Sequence, residues 1–143
     1  MIIGYTCGVF DLFHVGHLNL LINAKSLCDR LIIGLTTDDA VSYKGTECVI
    51  PYEDRYRILM ACKYVDIVVP QDKQNHNKLV AHDKIKYDIL FVGDDWHNTK
   101  KWNMYEEELK KRNVKIIYFP YTAKISTTKL KQRYISIDSE KKI

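Results

Sequence analysis

The fold of this chain is constrained most by a regular alternation between short apolar runs and segments of helical periodicity. Residues 31–36 (LIIGLT) form a continuous apolar run of strand length, which is typical of a parallel strand covered on both faces. Residues 17–28 repeat apolar side chains at helical spacing and are predicted as a helix. Further strands are predicted at residues 2–6, 65–69, 89–92 and 114–119. Strands that alternate with helices in this way predict a single-domain α/β fold with a doubly wound, five-stranded parallel sheet.

The other segments are assigned from their periodicity and from residues that break it. Residues 37–51 show no periodicity and are predicted as a long polar loop, a kind of segment that often carries function. Pro70 is expected to stop the third strand. We expect the domain to cover residues 1–134 and a polar C-terminal tail to cover residues 135–143. Further helices are predicted at residues 52–64, 76–85, 104–112 and 126–134.

Composition narrows the class of protein. With 143 residues, of which 46% are hydrophobic and 28% charged, the chain can bury a core and is not disordered. The net charge of +4 is scattered along the sequence, so no nucleic-acid partner is expected. No apolar run approaches a membrane span, and the N-terminus has the pattern of a strand rather than of a signal peptide. We therefore expect no membrane association, a cytoplasmic location and four reduced cysteines, which form no Cys-x-x-Cys pair.

The first candidate for chemistry is GVFDLFHVGH, residues 8–17, between the first strand and the first helix. Ligands of doubly wound sheets bind beyond the carboxyl ends of the strands. His14 and His17 stand three residues apart at the mouth of the helix, and Gly16 permits close approach of the backbone. A helix N-terminus attracts anions, and imidazoles can donate hydrogen bonds to developing negative charge. This pattern therefore fits a site for a polyphosphate. It also fits two other interpretations: one histidine that caps the helix and one that is buried, or two histidines that form half of a metal site. No third ligand stands nearby at a familiar spacing, so metal ligation by side chains is not expected.

Further candidates follow other strands. Ser126, Thr127 and Thr128 come after the fifth strand, where hydroxyls at a helix start form either a phosphate cradle or a plain cap. Gly93 and Asp94 come after the fourth strand, and the acidic pair that begins at Asp94 could bind magnesium or a base edge, or form a turn. Two cations that could clamp phosphate, or be surface charges, are Lys44 and Arg55.

The chain resembles the cytidylyltransferase family of the HxGH nucleotidyltransferases. Three motifs carry this resemblance, namely GVFDLFHVGH at residues 8–17, GDDW at residues 93–96 and ISTTK at residues 125–129. Within it, the chain is most similar to the small bacterial glycerol-3-phosphate cytidylyltransferases. The resemblance covers residues 1–134 and implies a Rossmann-like nucleotidyltransferase fold.

The resemblance implies transfer of CMP from CTP to a small phosphomonoester, glycerol 3-phosphate first among them, with release of pyrophosphate. The attack would be in line and without a covalent intermediate, Mg²⁺ would bind mainly through the nucleotide phosphates, and the enzyme would be a homodimer that serves surface-polymer synthesis. The catalytic set implied is His14, His17, Lys44 and Thr127. Substrate contacts are implied for Asp11, Lys44, Arg55 and Lys78. Nucleotide contacts are implied for the two histidines and for Gly8, Val9, Phe10, Gly16, Lys63, Gly93, Asp94, Tyr121, Thr122, Ile125, Ser126, Thr127 and Thr128.

The sequence also departs from the pattern of this family. Tyr121 and Lys124 stand where the last motif usually has arginine and glycine, and Lys63 stands where an arginine often helps to hold CTP. Val9 replaces a threonine that often follows the first glycine. These departures leave open another acceptor, such as phosphocholine or phosphoethanolamine, an ATP-dependent adenylyltransferase, or a nucleotide-binding module without turnover.

Overall fold

The computed structural model of the chain describes residues 1–43, 45–73, 77–93, 100–120 and 127–141. Its elements alternate strand and helix along the chain and confirm the α/β fold. The strands are β1 (Ile3–Gly8), β2 (Arg30–Thr36), β3 (Ile67–Gln71), β4 (Ile89–Gly93) and β5 (Lys115–Phe119). The helices are α1 (Val15–Lys25), α2 (Asp38–Tyr43), α3 (Tyr52–Met60), α4 (Lys78–Ile85), α5 (Lys100–Lys111) and α6 (Thr127–Lys141).

All five strands form one parallel sheet in the order β3-β2-β1-β4-β5. The chain therefore builds outward from β1 to β3 on one side and then crosses to β4 and β5 on the other. In such a sheet the strand order reverses beside β1, and the crevice at the carboxyl ends of β1 and β4 is where ligands bind. The topology confirms the predicted doubly wound sheet and points to the segment after β1.

The two faces of the sheet bury separate apolar clusters. Leu31, Ile33 and Leu35 of β2 pack in one cluster together with Leu21 of α1 and Leu59 of α3. The intervening residue of β2, Ile32, packs in the other cluster with residues of α4 and α5. Because successive side chains of a strand point to opposite faces, β2 contributes to both clusters. Its continuous apolar run thus reflects helices on both sides of the sheet.

The predicted long loop contains a short helix, so that prediction is wrong at residues 38–43. α2 begins after Thr37, whose carbonyl accepts from the N–H of Val41 at 3.1 Å. Ala40 and Val41 are buried, and Asp38 and Asp39 lie in the first turn, where the helix dipole favours negative charge. Two buried apolar residues are too few to produce a visible helical period.

The ends of several elements also differ from the prediction. Pro70 does not stop β3, which continues to Gln71, because β3 is an edge strand and an edge tolerates a missing N–H donor. α1 begins at Val15 rather than at residue 17, α3 ends at Met60 rather than at residue 64, and α5 begins at Lys100 rather than at residue 104. The last helix does not end at residue 134 but runs to Lys141, while the domain boundary at residue 134 stays a prediction. Within the described ranges, no helix is both long and apolar enough to cross a membrane.

Candidate active site

The loop between β1 and α1 is held in an unusual backbone conformation by one carboxylate. Phe10 and Leu12 have φ values of 51° and 50°, a region that residues other than glycine seldom occupy. Asp11 between them accepts from the backbone N–H groups of Leu12, Val49 and Ile50 at 3.1, 2.8 and 3.0 Å. The carboxylate therefore fixes the loop and ties it to the segment before α3.

Asp11 is nearly inaccessible but stays ionised. Its exposed fraction is 2%, and Lys131 Nζ of α6 lies 3.1 Å from Oδ2. Burial alone would raise the pKa of Asp11, but the N–H groups of Val49 and Ile50 and the charge of Lys131 bring that pKa below its ordinary value. Asp11 thus ties the loop to two neighbouring segments, whereas its predicted contact with the substrate does not fit a carboxylate enclosed by protein donors.

The two histidines form the N-terminal cap of α1. His14 is the N-cap residue, and its Nδ1 accepts from the N–H of Gly16 at 3.0 Å. His17, three residues on, accepts the N–H of His14 on its own Nδ1 at 3.3 Å. This is the reciprocal arrangement of a capping box, made here with imidazoles. Because each Nδ1 is an acceptor, each neutral ring carries its proton on Nε2.

Both imidazoles are held in the neutral form. Burial lowers the pKa of His14, and burial together with the neighbouring His14 lowers the pKa of His17 to about 4. The rings stack with centroids 3.9 Å apart, and Phe10 and Phe13 pack on His17 with ring centroids 5.1 and 5.5 Å away. The cap therefore presents two neutral, preorganised Nε2–H donors at a helix N-terminus, a geometry suited to phosphate oxygens.

The described part of the second predicted phosphate motif, Thr127 and Thr128, begins beside this loop. Thr127 begins α6, and its hydroxyl donates to the carbonyl oxygen of Asp11 at 2.8 Å. Lys131, one turn further, also donates to the carbonyl oxygen of Glu47 at 3.1 Å. Thr128 is exposed next to Thr127. The structure thus brings the start of α6 against the histidine loop, as two sides of one site require.

Arg55 has a different place from the one the sequence suggested. It is 1% exposed, and its guanidinium donates to the carbonyl oxygens of Ile50, Val9 and Thr36, each at 2.8 Å. The remaining nitrogen donates to Asp38 Oδ1 at 2.7 Å. Four of the five N–H groups of this guanidinium already have protein acceptors, so the geometry does not support the predicted substrate contact of Arg55. Arg55 instead joins the ends of β1 and β2 to α2 and α3.

Lys78 lies on the opposite face of the same sheet edge. It is the first residue of α4, and its Nζ approaches Cys7 Sγ near the end of β1 to 2.8 Å. The predicted cation thus reaches the carboxyl edge beside the central strand. A thiol is a weak hydrogen-bond acceptor, so it ties up little of the donor capacity of this ammonium.

Of the other predicted residues, some are described by the structure and the rest lie outside the described residues. Gly93 ends β4 at the site edge, and Gly8 ends β1, where a Cβ atom would stand 3.2 Å from Phe10 Cε2. Phe10 itself is buried in the core, where its ring packs on His17. Lys63 is exposed, with Nζ 5.2 Å from the centre of the Tyr64 ring. Outside the described residues lie Lys44, Asp94, Tyr121, Thr122, Lys124, Ile125 and Ser126.

Sequence reasoning missed three polar residues at this edge. Asp38 pairs with Arg55, and Thr36 and Gln71 are buried at the ends of β2 and β3. Thr36 donates to Gln71 Oε1 at 3.3 Å. The one sequence signal for Gln71 was its position directly after an apolar strand, and Pro70 obscured where that strand ends.

Histidine, cysteine and acidic side chains are the groups that could hold a metal ion in this part of the site. In the segments that the structure describes, no group of three or more histidine, cysteine or acidic side chains could hold one. The carboxylate of Asp11, the acidic group nearest the histidines in sequence, is already used by backbone N–H groups and Lys131. The arrangement as a whole can therefore orient and neutralise phosphates, and it requires no nucleophilic side chain.

Comparisons with known proteins agree with this geometry. A family model described as cytidylyltransferase-like matches residues 5–133. The chain is 35% identical over 129 residues to a glycerol-3-phosphate cytidylyltransferase of Bacillus subtilis, covering 89% of this chain and 92% of that one. It is also 36% identical over 107 residues to an FAD synthase of Archaeoglobus fulgidus, covering 75% of this chain and 74% of the other. The crystal structure of a lipopolysaccharide core biosynthesis protein from Thermoplasma volcanium shares the fold, with a TM-score of 0.68 at 21% identity, covering 85% of this chain and 97% of that one.

Proposed function

The chain belongs to the cytidylyltransferase-like family and is a nucleotidyltransferase, and from that premise we propose that it transfers CMP from CTP to glycerol 3-phosphate, releasing pyrophosphate. The observation that carries the proposal is the pair of neutral Nε2–H donors of His14 and His17 at the start of α1. The acceptor is supported by glycerol-3-phosphate cytidylyltransferases that match about nine-tenths of the chain.

The proposed reaction uses the chain to position phosphates. One phosphate oxygen of the acceptor attacks the α-phosphorus of CTP, and the bond to the bridging oxygen of pyrophosphate breaks on the opposite side. Negative charge on the α-phosphate oxygens is met by the Nε2–H groups of His14 and His17. Because both rings are neutral, they donate hydrogen bonds without releasing protons to the leaving group.

The other described residues keep the two phosphate-binding sides together. Thr127 places the start of α6, where the helix dipole favours anions, beside the histidine loop. Lys78 brings a positive charge to the edge of β1, where we place the acceptor phosphate. Mg²⁺, bound through the phosphate oxygens of the nucleotide, would neutralise part of the triphosphate charge.

A second candidate function is adenylyl transfer from ATP. It is favoured by FAD synthases of Archaeoglobus fulgidus and Ferroglobus placidus, which are 36% and 32% identical to this chain. The histidine pair serves either nucleotide, since it contacts phosphates rather than the base. The base is therefore the feature that separates the two candidates.

The test is pyrophosphate release with Mg²⁺, each of the four nucleoside triphosphates, and a panel of phosphomonoesters. The panel contains glycerol 3-phosphate, phosphocholine, phosphoethanolamine and FMN. We expect release that requires both CTP and glycerol 3-phosphate. Pyrophosphate release that requires ATP and FMN would replace the proposal by the second candidate. Pyrophosphate release with CTP and another phosphomonoester would confirm CTP as the nucleotide and refute glycerol 3-phosphate as the acceptor.

The remaining expectations accompany this proposal. We propose a cytoplasmic location because the reaction consumes CTP. Homodimer formation and the absence of a nucleic-acid partner stay predictions, which light scattering and a binding titration with DNA and RNA would check.

A further inference from the structure

Gln71 carries a polar group that the fold does not satisfy. Its side chain is 5% exposed, and within the described part of the chain Nε2 has no hydrogen-bond partner. The hydroxyl of Thr36 donates a hydrogen bond to Oε1, the other polar atom of the Gln71 amide. A buried donor without a partner destabilises a folded protein, so each such group requires an explanation. Bulk water does not supply one, because Nε2 is shielded from solvent.

Gln71 lies on the same face of the sheet as Lys78. Cys7 of β1 and Val69 of β3 pack against the apolar cluster of α4 and α5. Because side chains alternate along a strand, Gln71, two residues after Val69, points to that face too. The contact between Lys78 Nζ and Cys7 Sγ places the ammonium there as well.

The register of the sheet gives the distance between these groups. Cys7 pairs with Gly34, and Gln71 pairs with Thr36, two residues further along β2. Two strand spacings and two residue rises separate the backbones of Cys7 and Gln71 by about 12 Å. By this estimate the span is about the length of a three-carbon phosphomonoester with a hydrogen bond at each end.

We propose that Gln71 is a specificity-determining residue that donates a hydrogen bond to a hydroxyl of the acceptor while Lys78 holds the phosphate of that acceptor. The inference rests on the proposed function and narrows its substrate class to phosphomonoesters of polyols. A hydroxyl oxygen accepts an N–H bond, whereas an ammonium or a quaternary amine has no lone pair to offer. A cationic acceptor would also lie near the ammonium of Lys78. The two groups therefore disfavour phosphoethanolamine and phosphocholine.

The experiment compares kcat/KM for glycerol 3-phosphate, propyl phosphate and phosphoethanolamine in the wild type, in Gln71→Leu and in Gln132→Leu. Propyl phosphate retains the three carbons and lacks the hydroxyls. Gln132→Leu makes the same substitution at an exposed position of α6. The KM for CTP and the melting temperature are measured for each protein.

We expect Gln71→Leu to lower kcat/KM for glycerol 3-phosphate about tenfold and to leave propyl phosphate within about twofold. The KM for CTP should not change, and the melting temperature should change little, because the substitution removes the unsatisfied Nε2 donor together with the acceptor of the Thr36 hydroxyl. Gln132→Leu should match the wild type in every measurement.

Two results would overturn the inference while leaving the proposed function intact. One is an equal loss of kcat/KM for glycerol 3-phosphate and propyl phosphate in Gln71→Leu, and the other is no loss for either. A wild type that forms no product with glycerol 3-phosphate would refute the proposed function and the inference with it. The wild-type profile and the variant profile thus distinguish the two failures.

Discussion

The two faces of the sheet present opposite kinds of polar group at the carboxyl edge. On the α1 face, the Nδ1 atoms of His14 and His17 and the carboxylate of Asp11 all have partners within the chain. On the α4 face, Nε2 of Gln71 has no partner among the described residues, and Lys78 contacts a thiol. On the first face the fold fixes the orientation of the groups that bind the ligand, and on the second it leaves a buried donor without a partner among the described residues.

This difference separates two tasks of a nucleotidyltransferase. A pair of rigid, neutral donors suits a step that is the same for every acceptor, namely stabilising charge around the α-phosphorus. Hydrogen-bond donors without a partner in the protein suit the selection of one acceptor substrate. A substrate that cannot pair with these donors leaves them unsatisfied and therefore binds more weakly. We therefore expect changes on the α1 face to affect kcat and changes on the α4 face to affect the KM of the acceptor.

The largest effect is expected from removing the Nε2–H donors without removing the cap of α1. Asn at position 14 is a favoured N-cap residue, and Gln at position 17 completes an ordinary capping box. His14→Asn and His17→Gln should therefore each lower kcat about 10²–10³-fold, the cost of one transition-state donor. Steady-state kinetics and thermal unfolding of both variants check this.

His14→Ala is the matched comparison, because it removes the cap as well as the donor. It should lose a similar factor in kcat and, in addition, about 1 kcal/mol of folding free energy. Near-normal kcat in His14→Asn and His17→Gln would show that the histidines serve only as caps, and the contrast between the two faces would disappear.

The next effect is a loss of stability in mild acid that arises on the α1 face. The pKa of His17 is about 4 in the folded chain and 6.5 as the ordinary value. The unfolded chain binds the proton more readily between these values, so the stability present above pH 6.5 falls as the pH drops toward 4. The loss from this group is at most about 3 kcal/mol.

Urea unfolding at pH 7, 5.5 and 4.5 measures this loss. His17→Gln has no titrating group at this position, so its stability should depend less on pH than that of the wild type. If the free energy of unfolding decreased equally with falling pH in the two proteins, the ring of His17 would not be protected from protonation.

A smaller effect, confined to the acceptor, is expected on the α4 face. Lys78→Met should raise the KM for glycerol 3-phosphate about tenfold or more, because a charge-assisted hydrogen bond is lost. The KM for CTP should change by less than about twofold. Lys84→Met, an exposed substitution on the same helix, is the control and should match the wild type. If the KM for CTP rises more than that for the acceptor, Lys78 belongs to the nucleotide side.

The smallest effect is expected from the link between α6 and the histidine loop. Lys131→Met removes the partner of Asp11 Oδ2 and should cost about 1 kcal/mol, visible as a melting temperature lower by a few degrees. Lys131→Arg should restore most of it. A fall in kcat as large as that of the histidine variants would instead place Lys131 in contact with the substrate.

Most of the fold could be read from the sequence because its signals are local. The apolar run of β2 and the helical period after residue 17 depend on neighbours within a few residues, and both predicted elements are present. α2 was missed because two buried residues, Ala40 and Val41, make no period. Pro70 was misread because a proline ends a central strand but is tolerated at the edge, and strand order is not visible in the sequence.

The site was predicted only where function is encoded in the residue type and its spacing. His14 and His17 satisfy both conditions, and α1 begins at Val15, between the two histidines. Arg55 has the right charge for a phosphate clamp, but four oxygens from distant segments enclose it. Gln71 carries no charge and no motif, and its role depends on a missing partner, which only the packed structure shows.

The bond from Thr127 to Asp11 also orders the events of synthesis. It joins residues 116 positions apart, and α6 follows all five strands in the chain. On the ribosome, the histidine loop emerges early and the sheet can assemble on it strand by strand. Thr127 and Lys131 emerge only afterwards, so Asp11 acquires its cation when the sheet is already in place. A nascent chain paused after β5 therefore holds the histidine pair but not the anchor of α6.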